Sequence, residues 1–243
     1  MSFSQAQIDE RWLKYARNVL TCAGGAMKCC LSDADGGFAR WPGYLGSDFA
    51  RGRALFVGAV HNNDSTAYAP DDWILPDLAA AALDWIKGRQ ADADYLARVR
   101  KDYSAAMTGV PGWSKSGVWR QFADIRLRLG ITPQQTAATN LAKCALPSGH
   151  KNYNKPIAAC PQRFPLSHLI NALDPVIVFV ACGNKAAPLR DLEATATPRV
   201  YRFEQRNQRE WPSRRGKDLW LSEAADFYRS IMNPNGGPPD ESA

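Results

Sequence analysis

Three short runs, apolar almost without a break, limit what this chain can fold into more than any other feature. Residues 53–60 read Arg-Ala-Leu-Phe-Val-Gly-Ala-Val; a second run passes through Thr139-Asn140-Leu141-Ala142-Lys143 and ends at Cys144; the third, Val176-Ile177-Val178-Phe179-Val180-Ala181, leads to Cys182 and Gly183. Strands apolar on both sides belong in the middle of a parallel sheet, because only crossover helices on each face can cover them. The segments between them read as helices. Ser4 can cap a helix over residues 4–23, with Ile8, Trp12, Tyr15 and Val19/Leu20 at helical spacing and Gly24-Gly25 as its stop. Further helical patterns cover residues 71–85, 94–107, 118–129, 165–173 and 217–232, and a last strand is expected at 199–203. Residues 32–51 read as a loop, pinned to the body by Trp41, Pro42 and Tyr44. The class is therefore α/β, with the ligand beyond the carboxyl ends of the strands, among the loops after Val60, Asn140/Cys144, Cys182 and Phe203.

At 243 residues the chain suits one domain, residues 1–232, followed by a Pro/Gly/Asn-rich tail, 233–243, expected to be disordered. No segment approaches the roughly 20 apolar residues of a membrane span, and the N-terminus is polar where a signal peptide would be apolar. A cytoplasmic protein that needs no membrane and no obligate protein partner is the expectation. In that compartment the six cysteines are metal ligands or core thiols and not disulfides.

The net charge of +6 is concentrated. Arg199, Arg202, Arg206, Arg209, Arg214, Arg215 and Lys217 face only Glu204 and Glu210 within residues 199–217. Such a stretch is either a solvated arginine face or a surface for a polyanion. The interleaved Tyr201, Phe203 and Trp211 favour nucleic acid, where arginines hold phosphates and aromatics stack on bases.

Cys144 and Cys160 lie sixteen residues apart. A strand carrying Asn four residues before Cys, a Pro/Gly/Asn-rich loop, an Ala158-Ala159-Cys160 helix start and a β-branched strand ending in Gly183 together resemble the iron–sulfur branch of the uracil-DNA glycosylase superfamily. The resemblance covers roughly residues 54–187. It implies a three-layer α/β/α sandwich around a four-stranded, mostly parallel sheet. It also implies a monofunctional DNA glycosylase that flips a nucleotide and hydrolyses its N-glycosidic bond.

Carried over residue by residue, the resemblance makes Cys144 and Cys160 the last two ligands of an iron–sulfur cluster, 4Fe-4S in type. Cys22 and Cys29 complete the set, with Cys30 adjacent to Cys29; zinc and plain buried thiols are the alternatives. The family's Cys-x-x-Cys spacing is broken here, since Cys29 stands seven positions after Cys22. Asn140 corresponds to the side chain that reads the flipped base, and a carboxamide offers a donor and an acceptor side by side for that purpose. The loop after the first strand, Gly58-Ala59-Val60-His61-Asn62-Asn63-Asp64-Ser65, stands where the family has Gly-x-x-Pro and a polar residue that positions water. His61 occupies the Pro position, and Asp64, with Asn62 and Asn63, supplies the nearest polar groups. Asp64 is assigned the water-orienting or cation-stabilising role. Tyr68, Trp73, His61 and His150 are candidates to contact the base.

The family's second motif, His-Pro-Ser, survives only as Trp211-Pro212-Ser213 before Arg214 and Arg215. Arg206, Arg209, Trp211, Ser213, Arg214, Arg215 and Lys217 form the expected DNA surface. Because both catalytic motifs diverge, the expected substrate is a modified pyrimidine, such as a hypermodified phage cytosine met in anti-phage defence. A non-catalytic binder of modified DNA and a nucleotide-processing hydrolase are the alternatives.

Overall fold

The computed structural model describes residues 3–22, 41–58, 74–107, 117–141, 143, 160–181, 198–202 and 216–233, with backbone alone for 74–79, 102–107, 117–120 and 216–220. Helix α1 (Gln5–Leu20) opens with a reciprocal cap: Gln7 N–H donates to the Ser4 hydroxyl, and Ser4 N–H donates to the Gln7 side chain at 2.9 Å. Two of the four orphan donors of the first turn are thereby satisfied. Ile8, Trp12, Tyr15, Ala16, Val19 and Leu20 form its buried stripe, as their spacing predicts.

Five strands make one mixed sheet: β1 (Tyr44–Leu45), β2 (Ala54–Gly58), β3 (Thr136–Asn140), β4 (Ile177–Ala181) and β5 (Arg199–Arg202), in the order β1-β3-β2-β4-β5. β3, β2, β4 and β5 run parallel, and β1 joins β3 antiparallel. Every residue of β2, β3 and β4 is buried. For β2 and β4 that is the condition their unbroken apolar runs require, and β3 is buried although it carries Thr136, Thr139 and Asn140.

Two expectations need correcting. The loop read over 32–51 contains strand β1 and a short helix, α2 (Phe49–Gly52). β1 is too short to show alternation in sequence, and tertiary contact builds it: Tyr44 and Leu45 are buried against Ala138 and Ala137. Gly43 reaches φ +120, and any β-carbon there would come within 2.4 Å of the Ala138 carbonyl oxygen, so the residue must be glycine. The pinning by Trp41, Pro42 and Tyr44 is present, with all three buried. Second, β3 stops at Asn140 and not at Cys144. The apolar run continues past the last ladder pair because Leu141 and Lys143 remain buried without being strand.

The helices α3 (Ile74–Ile86), α4 (Asp92–Met107), α5 (Gly117–Leu129), α6 (Leu166–Leu173) and α7 (Gly216–Met232) fall close to their expected places. Phe56, Phe179 and Tyr201 are register partners, so their rings share one face, with centroids 5.4 and 5.7 Å apart. Phe122 of α5 packs on Phe56 at 4.9 Å. The fully buried rings of Phe56, Phe122 and Phe179 each contribute about 1.5–3 kcal/mol, while Tyr201 at the edge is only partly buried. Ala138 pairs with Phe56, so alternation turns Thr139 to the opposite face, where Tyr15 of α1 meets it. At the amino ends of β2 and β4, Arg53 and Asp174 both adopt left-handed backbone (φ 49 and 51) and are joined by an ion pair at 2.5 Å. No described helix is long and apolar enough to cross a membrane.

Candidate functional site

The carboxyl ends of β2, β3 and β4 bring Gly58, Asn140 and Ala181 side by side. The chain leaves β2 for β3 on one side, then recrosses to β4 on the other. That order reversal puts a topological switch point at β2 and β4, the place where open parallel sheets bind ligands. Asn140 is 7% exposed at this rim. Its Oδ1 leans over Gly58, so closely that a β-carbon on residue 58 would lie 2.2 Å from it. The strand end is fixed by Leu141 N–H, which donates to the Gly58 carbonyl at 2.9 Å.

Behind Asn140 lies a buried polar cluster. Lys143 is 3% exposed, and its ammonium donates to Thr139 Oγ1 at 2.5 Å and to the main-chain carbonyl of Asn140. Thr139 in turn donates to the Pro42 carbonyl at 3.0 Å, and Trp41 N–H donates to the Lys143 carbonyl at 2.6 Å. The Lys143 ammonium also sits 5.8 Å from the centre of the Tyr15 ring. Burial, reinforced by Cys160 and opposed by Thr139, pushes the Tyr15 hydroxyl far above the usual tyrosine range, so it stays protonated.

Of the expected metal ligands, Cys22 and Cys160 lie within the described residues, both buried and neither in a disulfide. Cys160 Sγ accepts a hydrogen bond from Lys143 N–H at 3.3 Å. A main-chain donor aimed at sulfur is compatible with a thiolate ligand, since hydrogen bonds to the sulfurs are among the features that tune iron–sulfur clusters. Cys29, Cys30 and Cys144 lie outside the described residues. Among those described, no group of three or more His, Cys, Asp or Glu is gathered as a metal site.

The other candidates cannot be placed in the geometry. His61, Asn62, Asn63, Asp64, Tyr68, Trp73, His150, Cys182, Arg206, Arg209, Trp211, Ser213, Arg214 and Arg215 all lie outside the described residues; Lys217 is described only as backbone near the start of α7. Arg199 and Arg202, from the same basic stretch, are on β5, where Arg199 pairs with Glu223. His168 is on α6 and exposed. A surface groove of about 430 Å³ between α3 and α4, lined by Ala80, Ala81, Asp84, Arg89, Gln90 and Arg98, includes none of the expected site residues.

Sequence reading did not foresee the burial of Lys143 or its link to Tyr15 and Thr139. Its one signal was position: a lysine three residues beyond a buried Asn, in a run otherwise apolar, is within reach of the strand it follows. The fold and this rim define an α/β protein built on a mixed five-stranded sheet. No protein-family model and no curated protein matches the chain.

Proposed function

We propose that the protein is a DNA glycosylase that flips a pyrimidine, by preference a modified one, out of the helix and hydrolyses its N-glycosidic bond. The observation that carries the reading is Asn140 at the carboxyl rim of β3, its carboxamide leaning over Gly58 beside the switch point. This is where a base-reading carboxamide is needed, and the strand order β3-β2-β4-β5 suits the three-layer sandwich that the sequence motifs imply.

In this reading Asn140 pairs with the Watson–Crick edge of the flipped base. Asp64, six residues beyond Gly58, orients water or offsets the positive charge that develops on the sugar as the bond breaks. Tyr68, His61 and His150 enclose the base, and Arg206, Arg209, Trp211, Ser213, Arg214, Arg215 and Lys217 hold the DNA backbone. Cys22, Cys29, Cys144 and Cys160 would hold an iron–sulfur cluster whose contribution is structural, tying the end of α1 to the sheet.

The test is a panel of uracil-containing and naturally modified phage DNAs, scored for alkali-labile abasic sites. Asp64→Asn is expected to cut excision by roughly 10²–10⁴-fold with DNA affinity nearly intact. Asn140→Ala is expected to erode discrimination between bases. Absence of abasic sites on every DNA, with tight binding retained, would instead establish a non-catalytic binder.

A further inference from the structure

We infer that Lys143 is the positioning residue for Asn140, gripping the end of β3 from the face of the sheet opposite the base. The inference rests on the base-reading role proposed for Asn140. Alternation along β3 turns the Thr139 and Asn140 side chains to opposite faces. Lys143 ties a side chain of one residue to the main chain of the next: its ammonium donates to the Thr139 hydroxyl at 2.5 Å and to the main-chain carbonyl of Asn140. Its own main chain is held at both ends, by Trp41 N–H on its carbonyl at 2.6 Å and by Cys160 Sγ on its N–H at 3.3 Å.

The consequence is geometric. With Leu141 N–H bonded to Gly58 and the Asn140 carbonyl bonded to Lys143, the peptide plane after Asn140 is fixed from two directions. Together with the pairing of β3 to β2, that plane constrains the Cα–Cβ direction of Asn140, from which its carboxamide reaches over Gly58. A buried ammonium is a costly way to finish a strand, since desolvation opposes it unless good acceptors surround it. An apolar residue would fill the same space. What an apolar residue cannot do is hold the hydroxyl of one strand residue and the main-chain carbonyl of the next in a single geometry.

Lys143→Met keeps the length and apolar stem and removes the grip. The measurement is a double-mutant cycle with Asn140→Ala, following single-turnover excision and base discrimination on the preferred DNA of the panel. Lys143→Met alone should slow excision roughly tenfold to a hundredfold, the scale of an ångström-level misplacement, while affinity for abasic-site DNA holds. In the Asn140→Ala background the same change should have almost no further effect, because residues acting as one unit are not additive. A full-sized effect in both backgrounds would overturn the proposal and make Lys143 merely structural. So would wild-type rate and discrimination in a folded Lys143→Met protein.

A second measurement needs no activity. The ¹⁵N side-chain signal of Asn140, identified by its loss in Asn140→Ala, should shift in Lys143→Met. An inactive wild type showing that shift would sink the glycosylase reading and leave the positioning intact; an unshifted signal would sink the positioning. Should Lys143→Met fail to fold, Thr139→Val removes one of the gripped groups at nearly constant volume, and the same cycle and shift decide the matter.

Discussion

Gly58→Ala adds a single methyl group at the carboxyl end of β2, and the structure gives the size of the collision. The new β-carbon would stand 2.2 Å from Asn140 Oδ1 and 3.4 Å from its Cγ. Ordinary contact begins near 3.4 Å, so the carboxamide oxygen must retreat by about 1 Å. Asn140 cannot yield by moving its backbone, because β3 is paired along its length with β2 and Leu141 N–H is bonded to Gly58. The retreat has to come from side-chain rotation. Gly58 is not among the residues with positive φ, so alanine fits the backbone, and lower unfolded-state entropy returns about 0.4–1 kcal/mol. Net stability should therefore change by no more than about 1 kcal/mol, roughly 2–4 °C in Tm for a chain of this size. Activity should change far more. A reading group displaced by about 1 Å costs on the order of 10² in rate. The assay pairs single-turnover excision with thermal unfolding of the same preparation. Wild-type rate and base preference in Gly58→Ala would refute the assignment of Asn140 to the base. A loss of stability above about 3 kcal/mol would refute the geometry, because it would mean that the clash cannot be relieved by one side chain.

Three further outcomes are expected. Protein purified without oxygen should be brown and contain iron and sulfide, and Cys160→Ser should bleach it and lower its Tm; colourless wild-type protein would remove the cluster from the reading. Arg214 and Arg215 replaced together by Ala should weaken DNA binding across sequences and flatten the log–log salt dependence by up to about two, one for each phosphate no longer neutralised; an unchanged slope would turn that stretch away from DNA. The Tyr228 hydroxyl donates to the Gly52 carbonyl at 2.6 Å, and burial, opposed by Arg53, raises its pKa to about 12. A group raised in the folded state stabilises fully below its ordinary pKa near 10 and loses that contribution as pH climbs to about 12. Tyr228→Phe should thus flatten the alkaline fall in stability between those values by at most roughly 3 kcal/mol, read from urea unfolding at stepped pH, and an equally steep fall in the variant would refute the attribution.

How much could be read from the sequence depended on whether one element or several determined the outcome. β2 and β4 were legible because a strand buried on both faces must be apolar at every position, which a linear pattern records. α1 was legible from Ser4 and the periodic Ile8, Trp12, Tyr15 and Val19. β1 was not, because two residues carry no period and the strand exists only through its contact with β3. α4 begins at Asp92, two residues before the expected start; Asp92 accepts from the Trp85 indole at 2.6 Å, a contact between two helices that local pattern cannot contain. Asn140 was singled out by its neighbours in sequence, and the structure places it buried at the end of β3. Lys143 was not recognised, because lysine is rarely buried and composition gives no warning when its acceptors come from the preceding strand.

On the proposed reading, the sheet order bears on how one asparagine could matter in a rim with few described polar groups. In sequence β2 is followed by β3 on one side and β4 by β5 on the other, the order reversal at which open parallel sheets leave a crevice between two strand ends. Both strands end in small residues, so their side chains do not fill it. Asn140 stands on the far side of β2, and only the missing side chain of Gly58 lets its carboxamide reach across toward that crevice. On the proposed reading, β3 would set the base-reading group, β2 would leave the space it enters, and the chemistry would fall to the segment after β2 that carries Asp64. A glycine at one strand end and a lysine grip behind the next would then serve the same end, holding one carboxamide still where a flipped base would arrive.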